Sequence, residues 1–70
     1  MDDYDKVKNN SKILDQEIYM MRSYFRYAKT DVPENVKEAY LLLAARHRAA
    51  AVALLTESIK LIETNTFVPE

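Results

Sequence analysis

A single segment, residues 29–35, interrupts an otherwise continuous helical pattern and decides how this chain can fold. Its sequence is KTDVPEN, and Pro33 is the residue that a helix interior does not tolerate. Proline removes a hydrogen bond from a helix interior but suits the first turn of a helix. We therefore expect one helix to end near Lys29 and a second to start near Val32. A link this short makes the two helices antiparallel neighbours.

Capping signals accompany both predicted helix starts. Asp31 and Glu34 have the spacing of a capping box, with Asp31 as the N-cap of the second helix. The first helix has more than one candidate start, because Asp3 can cap an early one and Asn10 or Ser11 a later one. The sequence leaves this choice open.

The chain is predicted to be all-α, an antiparallel two-helix hairpin with helix 1 over about residues 4–29 and helix 2 over about residues 32–64. Residues 1–64 form a single helical-hairpin domain, and residues 65–70 form a C-terminal tail. A chain of this length buries only about 60% of its unfolded surface, so its core is marginal without a staple. We expect oligomerisation or a partner to complete the hairpin into a bundle of four or more helices.

Composition excludes several classes of site and partner. The absence of cysteine excludes disulfides and thiolate metal sites, and the absence of glycine excludes Gly-rich phosphate loops. The net charge of −1 provides no field that attracts nucleic acid or anionic lipid. Residues 1–5 are acidic and unlike a signal peptide, while the apolar runs 39–45 and 49–55 are too short and too interrupted by charge to span a bilayer. We expect a cytoplasmic protein without a membrane partner.

Helix 1 carries two apolar lines. The first has alternating spacings of four and three residues, as in the seam of a helix pair, and consists of Val7, Leu14, Ile18, Met21, Phe25 and Ala28. The second lies about 100° round the helix and consists of Ile13, Met20, Tyr24 and Tyr27. A lone hairpin offers nothing to cover the second line. It is either a partly exposed aromatic margin or, as we favour, a docking surface.

The third line of helix 1 is basic. It carries five positive charges and one Asp, and it consists of Lys8, Lys12, Asp15, Tyr19, Arg22, Arg26 and Lys29. An ordinary solvated face explains it most simply. The functional alternative is an anion-binding stripe in which Tyr19 stacks on a base. The candidate residues for such a site are Tyr19, Arg22, Arg26, Arg46 and Arg48.

Helix 2 is apolar over about half of its circumference, which exceeds what one packing partner needs. One seam is Val36, Ala39, Tyr40, Leu43, His47, Ala50, Leu54 and Leu61, with Ala44, Ala51, Leu55 and Ile62 beside it and Leu41, Ala45, Val52 and Ile59 behind. Seven of the fifteen residues in 39–53 are alanine, which favours a helix and lets another helix approach closely. We predict an interface formed by Leu41, Val52, Leu55, Ile59 and Ile62.

Residues that could carry chemistry are few. His47 is the only histidine, and we interpret it as a half-buried seam residue with one hydrogen bond, for example to a tyrosine hydroxyl. A symmetric assembly could instead gather several copies into a pH-sensitive or metal-binding cluster. Arg46, His47 and Arg48 splay across about 200° of the helix and cannot hold one phosphate together. We expect no catalytic residues, no metal and no cofactor, and hence no enzyme.

Three families of small helical proteins share parts of this pattern. Residues 37–59, with Tyr40 early and alanines on one face, are similar to the second helix of the small subunit that partners needle-protein chaperones in type III secretion. The proline-started, alanine-rich second helix resembles phage-encoded hairpin proteins that sequester cyclic nucleotide signals, although the tryptophan expected there is absent. The string AARHRAA over residues 44–50 is similar to a helix motif of small enterobacterial nucleoid modulators, whose remaining pattern does not follow. Each resemblance covers about half of the chain without a diagnostic residue, so none assigns a family.

These features favour a small non-enzymatic interaction protein, such as an adaptor, a co-chaperone or an inhibitor. It would act by docking apolar helix faces onto itself or onto a helical partner protein. One alternative is an oligomeric phage-type sponge for a small anionic or nucleotide ligand. The others are a subunit like the type III secretion needle co-chaperone and a nucleic-acid-associated modulator, the last disfavoured by the net negative charge.

Overall fold

The computed structural model describes residues 2–65, which form two helices and no strand. Helix α1 is Asp3–Ala28 and helix α2 is Glu34–Asn65. The predicted all-α hairpin is thus confirmed, with helix ends within two residues of the expected ones. Asn65, predicted as the start of the tail, ends α2, and the rest of the predicted tail lies outside the described residues.

Contacts between the helices establish that they run antiparallel. Asn65, at the end of α2, donates a hydrogen bond of 2.7 Å to the carboxylate of Asp3 at the start of α1. At the other end of the hairpin, the rings of Tyr24 on α1 and Tyr40 on α2 stack with centroids 6.1 Å apart. The whole length of α1 therefore lies against α2.

The seam between the helices keeps a spacing of alternating three and four residues on both. Such spacing holds one face of each helix against its neighbour. The buried and half-buried seam positions are Val7, Asn10, Leu14, Glu17, Met21, Tyr24 and Ala28 on α1, and Val36, Tyr40, Leu43, His47, Ala50, Leu54 and Leu61 on α2. Ala44 and Ala51 are also buried beside the α2 positions.

Two seam predictions for α1 are wrong at its C-terminal end. Phe25, predicted in the core seam, is 40% exposed, whereas Tyr24, predicted on an open line, is half-buried against α2. The reason is that the seam passes through Asn10, Glu17 and Tyr24, which are polar or amphipathic. A seam that is traced only through fully apolar residues reaches Phe25 instead of Tyr24, one position further along the chain.

A smaller error of the same kind occurs on α2. Ala39, predicted in the seam, is exposed, because the seam steps from Val36 to Tyr40. Ile13 and Met20, which were expected to lie uncovered with Tyr24, are half-buried. The two apolar lines predicted for α1 are therefore less separate than the sequence suggests.

The first helix uses the early start. Asp2 is its N-cap, and the Asp2 carboxylate accepts a hydrogen bond of 2.8 Å from the backbone N–H of Asp5. This cap lies one residue before the predicted Asp3. Such a bond satisfies one of the N–H groups that a helix start leaves without an intrahelical partner.

The capping box predicted at the start of α2 does not form. Helix α2 begins at Glu34, with the Pro33 carbonyl accepting a hydrogen bond of 3.0 Å from the N–H of Lys37. A residue before proline avoids the helical region, so Val32 cannot be the first helical residue. The start therefore moves past Pro33, which takes it out of reach of the Asp31 side chain.

The link between the helices needs no glycine. Lys29 ends α1 with φ −87° and ψ −5°, and its N–H donates to the Arg26 and Tyr27 carbonyls. The Thr30 N–H and hydroxyl also donate to the Tyr27 carbonyl, and the Val32 N–H donates to the Thr30 carbonyl. A right-handed end of this kind avoids the left-handed backbone that usually requires glycine.

The hairpin has a thin core. The buried hydrophobic residues among 2–65 are Ala28, Ala44 and Ala51, and no large side chain there is fully buried. The two buried polar residues are satisfied: Ser23 donates to the Tyr19 carbonyl at 2.9 Å, and Asn10 makes a long 3.4 Å hydrogen bond to Ser58. Two helices alone thus shield few of the apolar side chains that the sequence supplies.

Candidate interaction surface

The side of α2 that faces away from α1 carries a continuous line of exposed side chains. We call it the α2 outer line, and it consists of Leu41, Ala45, Arg48, Val52, Leu55 and Ile59. Its spacings alternate between four and three residues, as in the hairpin seam. Leu41 is 40% exposed, Val52 55%, Leu55 49% and Ile59 48%. A second helix-packing seam therefore exists on α2 without a neighbour in the single chain.

Other exposed positions extend the outer line. Leu42, which we did not predict as an interface residue, lies beside it and is 64% exposed. Ala45, Ala49 and Ala53 are also exposed, and their small side chains project little from the helix. Ile62, predicted with the interface, is half-buried. The uncovered face is thus mainly apolar, with Ala45 and the charged Arg48 among its large apolar side chains.

On α1 the predicted interface residues occupy different environments. Ile13 and Met20 are half-buried along the edge of the seam, and Tyr27 is 45% exposed. Tyr24 lies in the seam itself. Phe25, which was predicted in the core seam and not in the interface, is 40% exposed.

An aromatic cluster closes the link end of the seam, with Tyr24 at its centre. The Tyr24 ring stacks on the His47 ring, with centroids 5.6 Å apart and planes 13° apart, and on Tyr40 at 6.1 Å. Tyr27 meets Tyr24 edge to face at 6.1 Å and lies 5.6 Å from Tyr40. Both geometries are favourable for aromatic rings. The cluster therefore ties both helices together where the core is otherwise small.

His47 pairs with an acidic residue of the opposite helix. Its Nδ1 lies 2.6 Å from the Glu17 Oε2, and the side chains are 28% and 23% exposed. A hydrogen bond to the Glu17 carboxylate requires Nδ1–H as the donor. The partner of His47 is therefore a carboxylate of α1 and not the tyrosine hydroxyl given as an example. The pattern of helix 2 alone does not contain this partner, because it lies on the other helix. Glu17 follows Asn10 by seven residues, and this spacing is the signal that could have placed it in the seam.

The predicted anion-binding residues lie on separate surfaces. Tyr19, Arg22 and Arg26 are exposed on one face of α1, and Tyr19 is 66% exposed. Arg46 and Arg48 are exposed on α2, about 200° apart round its axis. The ion pairs among residues 2–65 are Lys6–Asp3 and His47–Glu17, so none of these arginines is neutralised by a carboxylate. The chain presents an α1 basic face but no single pocket that gathers all five residues.

A metal site and a membrane-spanning helix are two further possibilities to consider for the described residues. Within the described range no group of three His, Asp or Glu side chains could hold a metal ion. Helix α2 is, however, long and apolar enough to cross a membrane, by length and composition only, over an 18-residue window. The sequence-based judgement to the contrary treated the two apolar runs separately, whereas this window joins them. Only 11% of the window is buried, so α2 is unusually apolar for a helix with one neighbour.

Comparisons with protein-family models, with curated proteins and with solved structures found no match to this chain. The function must therefore be argued from the surfaces of the hairpin.

Proposed function

We propose that this chain is a small helical interaction protein, one part of a bundle that other helices complete. The observation that supports this proposal is the α2 outer line, whose four large apolar side chains remain 40–55% exposed. Single exposed apolar residues are common on soluble proteins, whereas contiguous apolar lines are typical of interaction sites. An adaptor, a co-chaperone and an inhibitor would all use this line in the same way, by docking it against another helix.

The free energy available from covering this line is large for so small a chain. Full burial of one such side chain contributes about 1.5–3 kcal/mol. Covering the exposed half of four of them therefore contributes on the order of 3–6 kcal/mol, before the entropic cost of association. A core of this size class rarely supplies more than about 3–5 kcal/mol. Before the cost of association, the contribution from docking is thus of the same size as that of the core.

The shape of α2 favours a helix as the docked element. Ala45 is exposed among the larger side chains of the outer line, and Ala49 is exposed at its edge. Small residues let helix axes approach toward the short end of the usual 8–10 Å range. A partner helix could therefore sit between the large residues and reach the alanines.

A double variant, Val52→Gln with Leu55→Gln, tests this proposal. Both residues lie at the centre of the outer line, so the change should abolish assembly and lower the melting temperature measured by circular dichroism. The matched control is Arg46→Gln with Glu57→Gln, which alters two exposed α2 residues away from that line. An unchanged or raised melting temperature for V52Q/L55Q, with the same mass as the natural chain, would show that the line is solvated and would refute the proposal.

A second candidate function has a separate observation in its favour. We infer that the α1 basic face could bind a small anionic ligand in the assembled protein. Arg22 and Arg26 have no carboxylate partner, and Tyr19 beside them offers an exposed ring for stacking on a base. This corresponds to the sponge hypothesis, in which the ligand lies at a boundary between subunits.

Reversing two charges tests the second candidate. Arg22→Glu with Arg26→Glu should remove any thermal stabilisation by a panel of mono- and dinucleotides, since ligand binding raises the melting temperature by mass action. Lys6→Glu with Lys37→Glu is the control, because it makes the same charge change on exposed residues outside the α1 basic face. Equal nucleotide stabilisation in R22E/R26E and the natural chain would identify the basic face as merely solvated. A single-stranded oligonucleotide tested in parallel would distinguish a nucleic-acid modulator.

A further inference from the structure

The residues of the α2 outer line complement one another when the line is reversed about Ala50. Leu41 and Ile59 lie nine residues to either side of Ala50, Ala45 and Leu55 lie five, and Arg48 and Val52 lie two. Reversal therefore places a small residue opposite a large one and an arginine opposite a valine. Two copies of α2 related by a twofold axis near Ala50 would make these pairings twice.

A parallel pair of α2 helices would lack this complementarity. Each residue would then face its own copy, so that Ala45 met Ala45 and left a gap, while two Arg48 side chains met directly. In the antiparallel pair, the Arg48 positions are displaced from each other by about 6 Å along the helix axis, given a rise of 1.5 Å per residue. Repulsion between them is correspondingly weaker.

Charges at the ends of the outer line favour the same arrangement. Glu38 and Lys60 are exposed near opposite ends of the line, and neither has an ion-pair partner among residues 2–65. Reversal about Ala50 brings Glu38 of each copy to within two residues, about 3 Å along the axis, of the level of Lys60 of the other. A parallel pair would instead place Glu38 beside Glu38 and Lys60 beside Lys60.

The exposed area of the chain also suits a second copy. The protein has an accessible surface of 5511 Å², whereas a compact monomer of 8.2 kDa has about 4,500 Å². The difference of about 1,000 Å² resembles the roughly 800 Å² that each partner contributes to a stable interface of standard size. The surplus, which arises from the elongated shape of the hairpin, is comparable in size to the area that one interface of standard size covers.

We propose that a second copy of this chain covers the outer line, with the two α2 helices antiparallel and crossing near Ala50, to form a four-helix assembly in which the two α2 helices lie between the two α1 helices. This inference rests on the proposed interaction function and specifies its partner. The residues in contact across the twofold axis are Leu41 with Ile59, Ala45 with Leu55, and Arg48 with Val52.

Engineered thiols test the register, since the natural chain has no cysteine. Leu42, Ala49 and Thr56 are exposed at seven-residue intervals beside the outer line. In the proposed dimer, two copies of Ala49→Cys lie about 3 Å apart along the axis, and two copies of Thr56→Cys about 18 Å apart. A short bis-maleimide should crosslink the A49C dimer but not T56C alone, and an equimolar mixture of T56C with L42C should give the mixed dimer. Glu57→Cys, exposed on another face, measures background crosslinking.

A charge exchange provides a second test that does not depend on crosslinking. Glu38→Lys and Lys60→Glu should each weaken dimerisation about five-fold in Kd, as expected for losing and reversing surface pairs. The double variant E38K/K60E should recover the natural Kd, measured by sedimentation equilibrium. If the double variant does not recover the natural Kd, Glu38 does not pair with Lys60 of the other copy. The proposed antiparallel register would then be wrong.

The outcomes separate this inference from the proposed function. Self-crosslinking of T56C as efficient as that of A49C would establish a parallel pair, and an oligomer in which A49C stays at background would place the axis elsewhere. Either result overturns the inference while leaving the interaction function intact. So would a chain that associates only with another protein or with lipid vesicles. A stable folded monomer with no partner overturns both.

Discussion

Tyr24 is the residue through which most of the aromatic contacts between the two helices pass. Its ring contacts Tyr27 on its own helix and both Tyr40 and His47 on the other. Next to it, the Glu17 Oε2 lies 2.6 Å from the His47 Nδ1. The desolvation of this half-buried pair offsets much of the attraction between Glu17 and His47. We therefore expect the pair to contribute more to the alignment of the two helices than to the free energy of unfolding.

Replacing the acid of this pair has a specific expected cost. Glu17→Leu leaves the His47 Nδ1 without its partner, so we predict a loss of about 1–2 kcal/mol in the free energy of unfolding. Glu17→Gln keeps an oxygen acceptor and should lose less. The double variant Glu17→Leu with His47→Leu should recover most of the loss, since it removes both polar groups together. Urea denaturation of these three variants, of His47→Leu alone and of the natural chain measures these differences.

The same double-mutant cycle shows how this account of the pair could be wrong. If Glu17→Leu alone is as stable as the natural chain, the short contact contributes nothing to folding. If the double variant is less stable than either single one, the two side chains stabilise the seam through separate contacts, such as the stacking of His47 on Tyr24, rather than through their mutual hydrogen bond.

At the scale of the helices, the sequence predicts most of the architecture because one proline divides it. The position of Pro33 in a chain without glycine specifies two helices and a short link. The exposed line on α2 also follows from periodicity alone, since Val52 lies about 140° round the helix from His47. These features depend on local geometry, which a single sequence contains.

The features that the sequence did not predict depend on how the helices fit together. The Glu17–His47 pair requires the register between α1 and α2, which no local pattern supplies. Tyr24 was placed outside the seam because the seam there is amphipathic. The predicted cap at Asp31 failed for a local reason, the restriction that proline imposes on the residue before it.

At the scale of the whole molecule, the hairpin is a rod without a compact core. It measures 49 × 17 × 17 Å, and its radius of gyration is 15.6 Å, compared with about 11 Å for a compact domain of this length. Its buried hydrophobic residues within 2–65 are three alanines. A chain of this shape gains its main hydrophobic stabilisation only when other helices lie along it.

The molar mass of the folded chain in solution tests this account most directly. Light scattering over a wide range of concentrations, with circular dichroism on the same samples, gives mass and helicity together. We predict that helical samples have a mass of at least twice the 8.2 kDa of one chain, and that helicity falls when dilution lowers the mass. A fully helical species of 8.2 kDa, stable to dilution and heating without a partner, would contradict the account.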